Sequence, residues 1–169
     1  KNIQIDLNAD IGESYGVYNL GDDENIVEII SSANIATGFH AGDPNHMKRT
    51  VDLCEKNDVG IGAHPAYPDK LGFGRRDMYL ETEEISNILT YQIGALIGFT
   101  KQKKIQHVKP HGALYNAAVK DERIATAIVK AIMKFDPELI HVVLAGSLWE
   151  EIAKSKNARV ARECFADRA

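Results

Sequence analysis

Five times along this chain an apolar, largely β-branched run breaks off into a knot of charged, polar or glycine residues. The knots read Asp6-Leu7-Asn8-Ala9-Asp10, Gly38-Phe39-His40-Ala41-Gly42-Asp43, His64-Pro65, Lys109-Pro110-His111-Gly112 and Arg162-Glu163-Cys164-Phe165-Ala166-Asp167-Arg168. Between the runs lie stripes at helical spacing, such as Met47, Val51 and Cys54, or Ile124, Ile128, Ala131 and Ile132. Alternating strands and helices build parallel sheets, and in such sheets the strand tips open on one face. Polar groups far apart in sequence then converge in one pocket.

The periodicity predicts strands at 2–7, 33–38, 59–63, 105–109, 139–145 and 158–164. Helices are expected at 22–31, from Asp43-Pro44 onward with the aspartate as cap and the proline in the first turn, after Thr82 as cap, at 121–135 and at 147–155. Such barrels close with about eight strands, whereas six βα units are legible and the sequence stops at a strand end. The expectation is therefore one α/β domain over residues 1–169, a parallel (β/α) barrel lacking its C-terminal units, with an open doubly wound sheet as the alternative. Gly94 and Gly98 have GxxxG spacing in an amphipathic helix and read as a close helix contact.

A formal charge of -4 offers no electrostatic basis for binding nucleic acid or an anionic membrane. Cys54 and Cys164 form no CxxC pair, and Cys54 falls on a helical apolar stripe, which suits an inert buried thiol. With no leader pattern and no membrane-length apolar run, a cytoplasmic location is expected.

Asp6, Asn8 and Asp10 share one face if the strand continues, and Glu13 follows them. Neighbouring carboxylates drive their pKa values apart, one toward acid and one toward base. His40 lies between glycines that permit close approach to a ligand, Asp43 is a helix cap, and His46 reads as a surface or supporting residue. Lys109 and His111 leave one strand tip together, and a lysine facing a barrel interior needs an anionic partner, here expected from strand one. His40, His64 and His111 can ligate a metal with Asp10, but no HExxH pattern enforces it, and no bound metal is expected. Arg75 and Arg76 follow Gly72 and Gly74, a loop suited either to nesting an anion or to pairing with neighbouring acids. Neither a Walker A nor a GxGxxG pattern is present.

At these same clusters the chain resembles the LamB/YcsF family of 5-oxoprolinase A subunits. The matching segments are Ile5 to Glu13, Ser32 to Pro44, Gly62 to Pro65, Gly72 to Arg76, His107 to Asn116 and Phe165 to Arg168. Thr37 stands where family members often carry cysteine, and Ser14 where glycine is common. The resemblance implies a seven-stranded barrel of the glycoside hydrolase/deacetylase type, in a chain that continues beyond residue 169. It also implies ATP-dependent cleavage of 5-oxoproline to L-glutamate, ATP being a co-substrate of a complex with partner B and C subunits. On that basis the expected catalytic residues are Asp10, Glu13, His64, Lys109 and His111. Asp6, Asn8, His40, Arg75, Arg76, Asp167 and Arg168 are expected to bind substrate. Rival functions are a metal-dependent deacetylase or other amidohydrolase, and a non-catalytic binding protein.

Overall fold

The computed structural model describes residues 4–166. Its elements in chain order are β1 (Asn8–Ile11), α1 (Asp23–Ile26), β2 (Ser32–Ala36), α2 (Pro44–Lys56), β3 (Gly60–His64), α3 (Thr82–Phe99), β4 (His107–Val108), α4 (Gly112–Ala118), α5 (Glu122–Phe135), β5 (Ile140–Leu144), α6 (Leu148–Ser155) and β6 (Arg159–Glu163). The strands form one parallel sheet in the order β1-β2-β3-β4-β5-β6, curled into an open half-barrel. A doubly wound sheet would reverse its strand order at some point; this one never does, which excludes that alternative.

Helices cover the convex face. On α5 the apolar stripe Ile124, Ile128, Ala131 and Ile132 is buried, and the Asp121 carboxylate accepts from the Arg123 and Ile124 amides to start the helix. On α2 Met47, Val51 and Cys54 face inward, and Asp43 caps it through the Asn45 and His46 amides. Asp43 also accepts from the Gly16 amide, so one carboxylate starts a helix and anchors the loop after β1. Burial pushes the Cys54 thiol up to about 12, as suits a packing residue. Among the described residues no helix is long and apolar enough to cross a membrane.

Four local expectations are corrected. The first strand begins at Asn8 rather than residue 2, because pairing with β2 starts at Asn8↔Ser32; residues 1–3 lie outside the described range. Ile5 and Leu7, whose alternation suggested a strand, are exposed. The helix expected at 22–31 shrinks to Asp23–Ile26, since the chain must unwind for Ser31 to donate to the Leu7 carbonyl. Helix α3 is capped by Glu81, whose amide donates to the Glu84 carboxylate, and Thr82 becomes its first residue. The GxxxG pair marks no tight contact: a Cβ at Gly94 would meet only Phe135, at 3.9 Å, and one at Gly98 nothing within 4 Å.

Two buried histidines make stability pH-dependent. Burial lowers His107 to about 4, and burial alone lowers His141, both of whose ring nitrogens lack a partner, to about 4. In the unfolded chain each titrates near pH 6.5. Between about pH 6.5 and 4 the unfolded state therefore binds protons that the folded state does not, and stability falls as pH falls. Each histidine contributes a slope of roughly 1 kcal/mol per pH unit. Urea unfolding at pH 7 and pH 5 measures this, and equal midpoints would contradict it.

Candidate active site

The strand ladder itself brings the chemistry together. Residues opposite one another in a parallel ladder share a face, so Asp10, Asn34, Gly62 and His107 project into the half-barrel interior, as do Lys109 and Glu163. Beyond β4 the pairing continues: the Lys109 amide donates to the Ala63 carbonyl and the His111 amide to the Pro65 carbonyl, at 2.9 and 2.8 Å. The tips of β3 and β4 are thereby held in register, which forces His64 and His111 side by side.

Behind them Gln92 of α3 fixes the segment after β3. Its amide donates to the Ala66 carbonyl and accepts from the Ala66 amide and the Thr37 hydroxyl. From above, the loop after β3 crosses the histidines. Gly74, in the left-handed region at φ +64°, lets its backbone pass where a Cβ would lie 2.8 Å from the His40 Cβ and 2.9 Å from the His111 ring.

Two groups of side chains result. In the first, Lys109 sits 2.7 Å from Glu163 and 3.3 Å from Asp10, and the Tyr115 hydroxyl donates to Glu163. Asp10 also accepts from Asn34 at 2.8 Å and lies 3.4 Å from His64 Nε2. Burial by itself would raise its pKa, but His64, Lys109 and Asn34 together more than offset that and hold the carboxyl well below the usual range. Its side chain remains 38% exposed, which keeps it reachable from the pocket.

The second group is Glu13, His40, His64 and His111, four buried or half-buried residues whose candidate ligand atoms all lie within 4.8 Å of one another. Glu13 Oε1 is 2.9 Å from His40 Nε2 and 3.8 Å from His111 Nδ1. Burial raises the Glu13 pKa, the neighbouring histidines opposing it in part. Burial, then the nearby rings, lower His111 to about 3, and burial with His64 lowers His40 to about 2. Asp10 and Glu13, three residues apart, are thus pushed in opposite directions, the pattern of a carboxylate pair with divided acid and base roles.

Of the residues anticipated for the site, Asp10, Glu13, His40, His64, Lys109 and His111 come together. Arg75 stands at the rim with its guanidinium 5.7 Å from the Phe73 ring. Arg76 does not join them. It is bidentate on Asp69, whose other hydrogen bonds come from the Gly72 and Arg76 amides, so the glycine-rich nest holds the chain's own carboxylate. That pairing holds Asp69 down at about 2. Asp6 and Asn8 are also elsewhere: they share the face of Asp10, but toward the N-terminal ends of the strands. There Asp6 accepts from Ser31 and Ser32, and Asn8 exchanges hydrogen bonds with Asn34. Asp167 and Arg168 lie outside the described residues.

Glu163, Tyr115 and Asn34 also belong to this interior; for Glu163 and Tyr115 only their contacts reveal it. Asn34 carries a signal, being polar between the buried Ala33 and Ile35, and alternation places it on the interior face with Ser32. His46, expected to be either a surface or a supporting residue, is largely covered, with Nε2 3.3 Å from the Gly16 carbonyl.

The sequence profile of the LamB/YcsF family matches residues 5–169. A Pyrococcus furiosus protein that bears the name of the 5-oxoprolinase A subunit is 56% identical over 169 residues, covering 99% of this chain and 66% of the relative. A protein of the same name from Campylobacter jejuni is 54% identical over 168 residues, again with 66% of its length covered. The chain thus spans just under two thirds of these curated relatives. The crystal structure of a lactam utilization protein from Thermus thermophilus superposes with a TM-score of 0.96 at 48% identity, covering 99% of this chain and 68% of that one. With the profile matched across nearly its whole length and relatives above half identity, this chain belongs to the LamB/YcsF family.

Proposed function

We propose that this chain is the A-subunit part of a 5-oxoprolinase, opening the lactam of 5-oxoproline to L-glutamate at the expense of ATP, in a complex with B and C subunits. The observation that carries the reading is the name shared by relatives at 53–56% identity, which retain this stretch of chain nearly end to end. A buried acid, lysine and histidine cluster at the strand tips is what the reaction needs.

A lactam carbonyl is resonance-stabilised, and phosphorylation of its oxygen makes the carbon electrophilic. One water then adds to that carbon, the C–N bond breaks as nitrogen takes a proton, and a second water hydrolyses the acyl phosphate to carboxylate and phosphate. Asp10, held ionised, serves as base toward water, and Lys109 stabilises the oxyanion that forms. The Glu13, His64 and His111 cluster holds the proton that the ring nitrogen receives. His111 presents a lone pair rather than a proton toward the pocket, because its Nε2–H is committed to the Phe73 carbonyl at 2.8 Å. Donation therefore falls to Glu13, whose raised pKa suits an acid.

The test is glutamate release from 5-oxoproline by the full-length protein with its B and C partners. Release that needs ATP and all three proteins is expected. Hydrolysis of linear amides without ATP would replace this reading with that of an amidohydrolase.

A further inference from the structure

We infer that His64 Nε2, His111 Nδ1 and the Glu13 carboxylate form a binding site for one divalent transition-metal ion, with His40 as the residue that orients Glu13. A backbone carbonyl only accepts, so the neutral His64 ring, with Nδ1 2.6 Å from the Lys109 carbonyl, carries its one hydrogen there and leaves Nε2 as a lone pair. His111, with Nε2 on the Phe73 carbonyl, likewise leaves Nδ1 as a lone pair. These two lone pairs face each other at 3.0 Å, the rings crossing at 82°. Two acceptors so placed repel unless a proton or a metal ion lies between them.

A metal ion meets that requirement, and the surroundings supply the rest of a coordination shell. At metal–nitrogen distances of about 2.1 Å, a 3.0 Å separation subtends close to a right angle at the ion, open to widening. Glu13 Oε1, 3.8 Å from His111 Nδ1, adds an anionic ligand on the same side. Two imidazoles and one carboxylate, with a further position left for water or substrate, is a donor set that zinc accepts. His40 is not a ligand in this arrangement. Its ring is stacked on His111 at 3.7 Å and 7°, so an ion in the plane of His111 lies out of the plane of His40. Instead His40 Nε2 holds Glu13 Oε1, the pairing by which an outer residue fixes a ligand's orientation. Asp10, the carboxylate that sequence spacing grouped with the histidines, gives its Oδ1 to Lys109 and Asn34 and keeps Oδ2 3.4 Å from His64 Nε2, at the edge of the site, while Glu13 is the carboxylate that lies among all three rings.

The site follows from these contacts and not from the oxoprolinase reading; an ion held there keeps Glu13 ionised, so metal uptake and proton donation by Glu13 are alternative states of one site. Titration of chelator-treated full-length protein with Zn²⁺, followed by calorimetry and by metal content after gel filtration, tests it. One ion per chain, bound in the micromolar range or tighter, is expected. His64→Gln and His111→Gln should weaken binding by at least roughly 100-fold, and His40→Asn by about 10- to 100-fold. Because a variant can misfold, Co²⁺ binding to the unmodified protein is the second measurement: visible absorption bands that Zn²⁺ abolishes support the site. No uptake by the unmodified protein, or uptake unchanged in folded His111→Gln and Glu13→Gln variants, overturns it. ATP-dependent glutamate release by metal-free protein would remove the metal from the reaction while leaving the binding titration to decide the site.

Discussion

Replacing Lys109 with methionine is expected to lower ATP-dependent glutamate release in the reconstituted complex by at least about 100-fold, the scale of losing one preorganised charge at a reacting centre. Methionine keeps the length and the apolar stem, so packing under Tyr115 and Phe165 is retained while the ammonium is lost. The ammonium lies between Asp10 and Glu163, at 3.3 and 2.7 Å, and its loss leaves two carboxylates facing each other across the interior. Breaking a buried pair costs about 3–5 kcal/mol. Asp10 is 38% exposed, so water screens part of that cost and the low end applies. Chemical denaturation separates the two effects. Loss of turnover in a variant that remains folded at the assay temperature assigns Lys109 to the chemistry, and wild-type turnover would remove it from the site.

Gly112→Ala should be among the most destabilising single-methyl additions in the molecule. Gly112 has φ +55°, where an L side chain costs about 1–2 kcal/mol. A Cβ there would stand 2.5 Å from the Gly74 carbonyl oxygen. That oxygen is backbone, held by a hydrogen bond from the Ala113 amide at 2.9 Å, so it has no rotamer by which to escape. Overpacking adds roughly 1–3 kcal/mol, and the sum corresponds to a fall in Tm of about 5–15 °C for a chain of this size. The displaced loop carries the Phe73 carbonyl that orients His111, so metal binding should weaken as well. Gly98→Ala is the matched control: it has open space in helix α3 and should be neutral or gain up to about 1 kcal/mol. Calorimetry of the two variants decides, and equal melting temperatures would show that the close approach of residues 74 and 112 is not what the glycine serves.

Where the chain's local physics and its packing agree, the sequence was readable. Helices α2 and α5 follow from apolar stripes and aspartate caps, because capping and amphipathicity are satisfied within a few residues. Alternation alone puts the first strand too early, since Ile5 and Leu7 alternate like a strand but stay exposed. Helix α4 was not foreseen: seven residues, Gly112–Ala118, are too few to show a period. The GxxxG pair resembled a packing motif, but only the distance across to α5 shows the space left open there.

At the candidate site the residue types at the strand tips were visible, while their pairings were not. Residue spacing put Asp6, Asn8 and Asp10 on one face, which holds, but it contains no information on which end of the strand carries the chemistry. Arg76 and Asp69 are seven residues apart in a loop, and only its fold closes them into a bidentate pair.

The sequence alone determined that histidines, acids and a lysine would leave parallel strands on one side, because alternation and the right-handed βα connection dictate that geometry locally. Tertiary structure decided which carboxylate meets which cation. Lys109 joins Asp10, 99 residues away, to Glu163, and the His64 and His111 rings meet nitrogen to nitrogen at 3.0 Å because two strand tips are locked in register by backbone hydrogen bonds. The polar knots at the strand ends thus become one interior in which each side chain's role depends on a partner supplied by another strand.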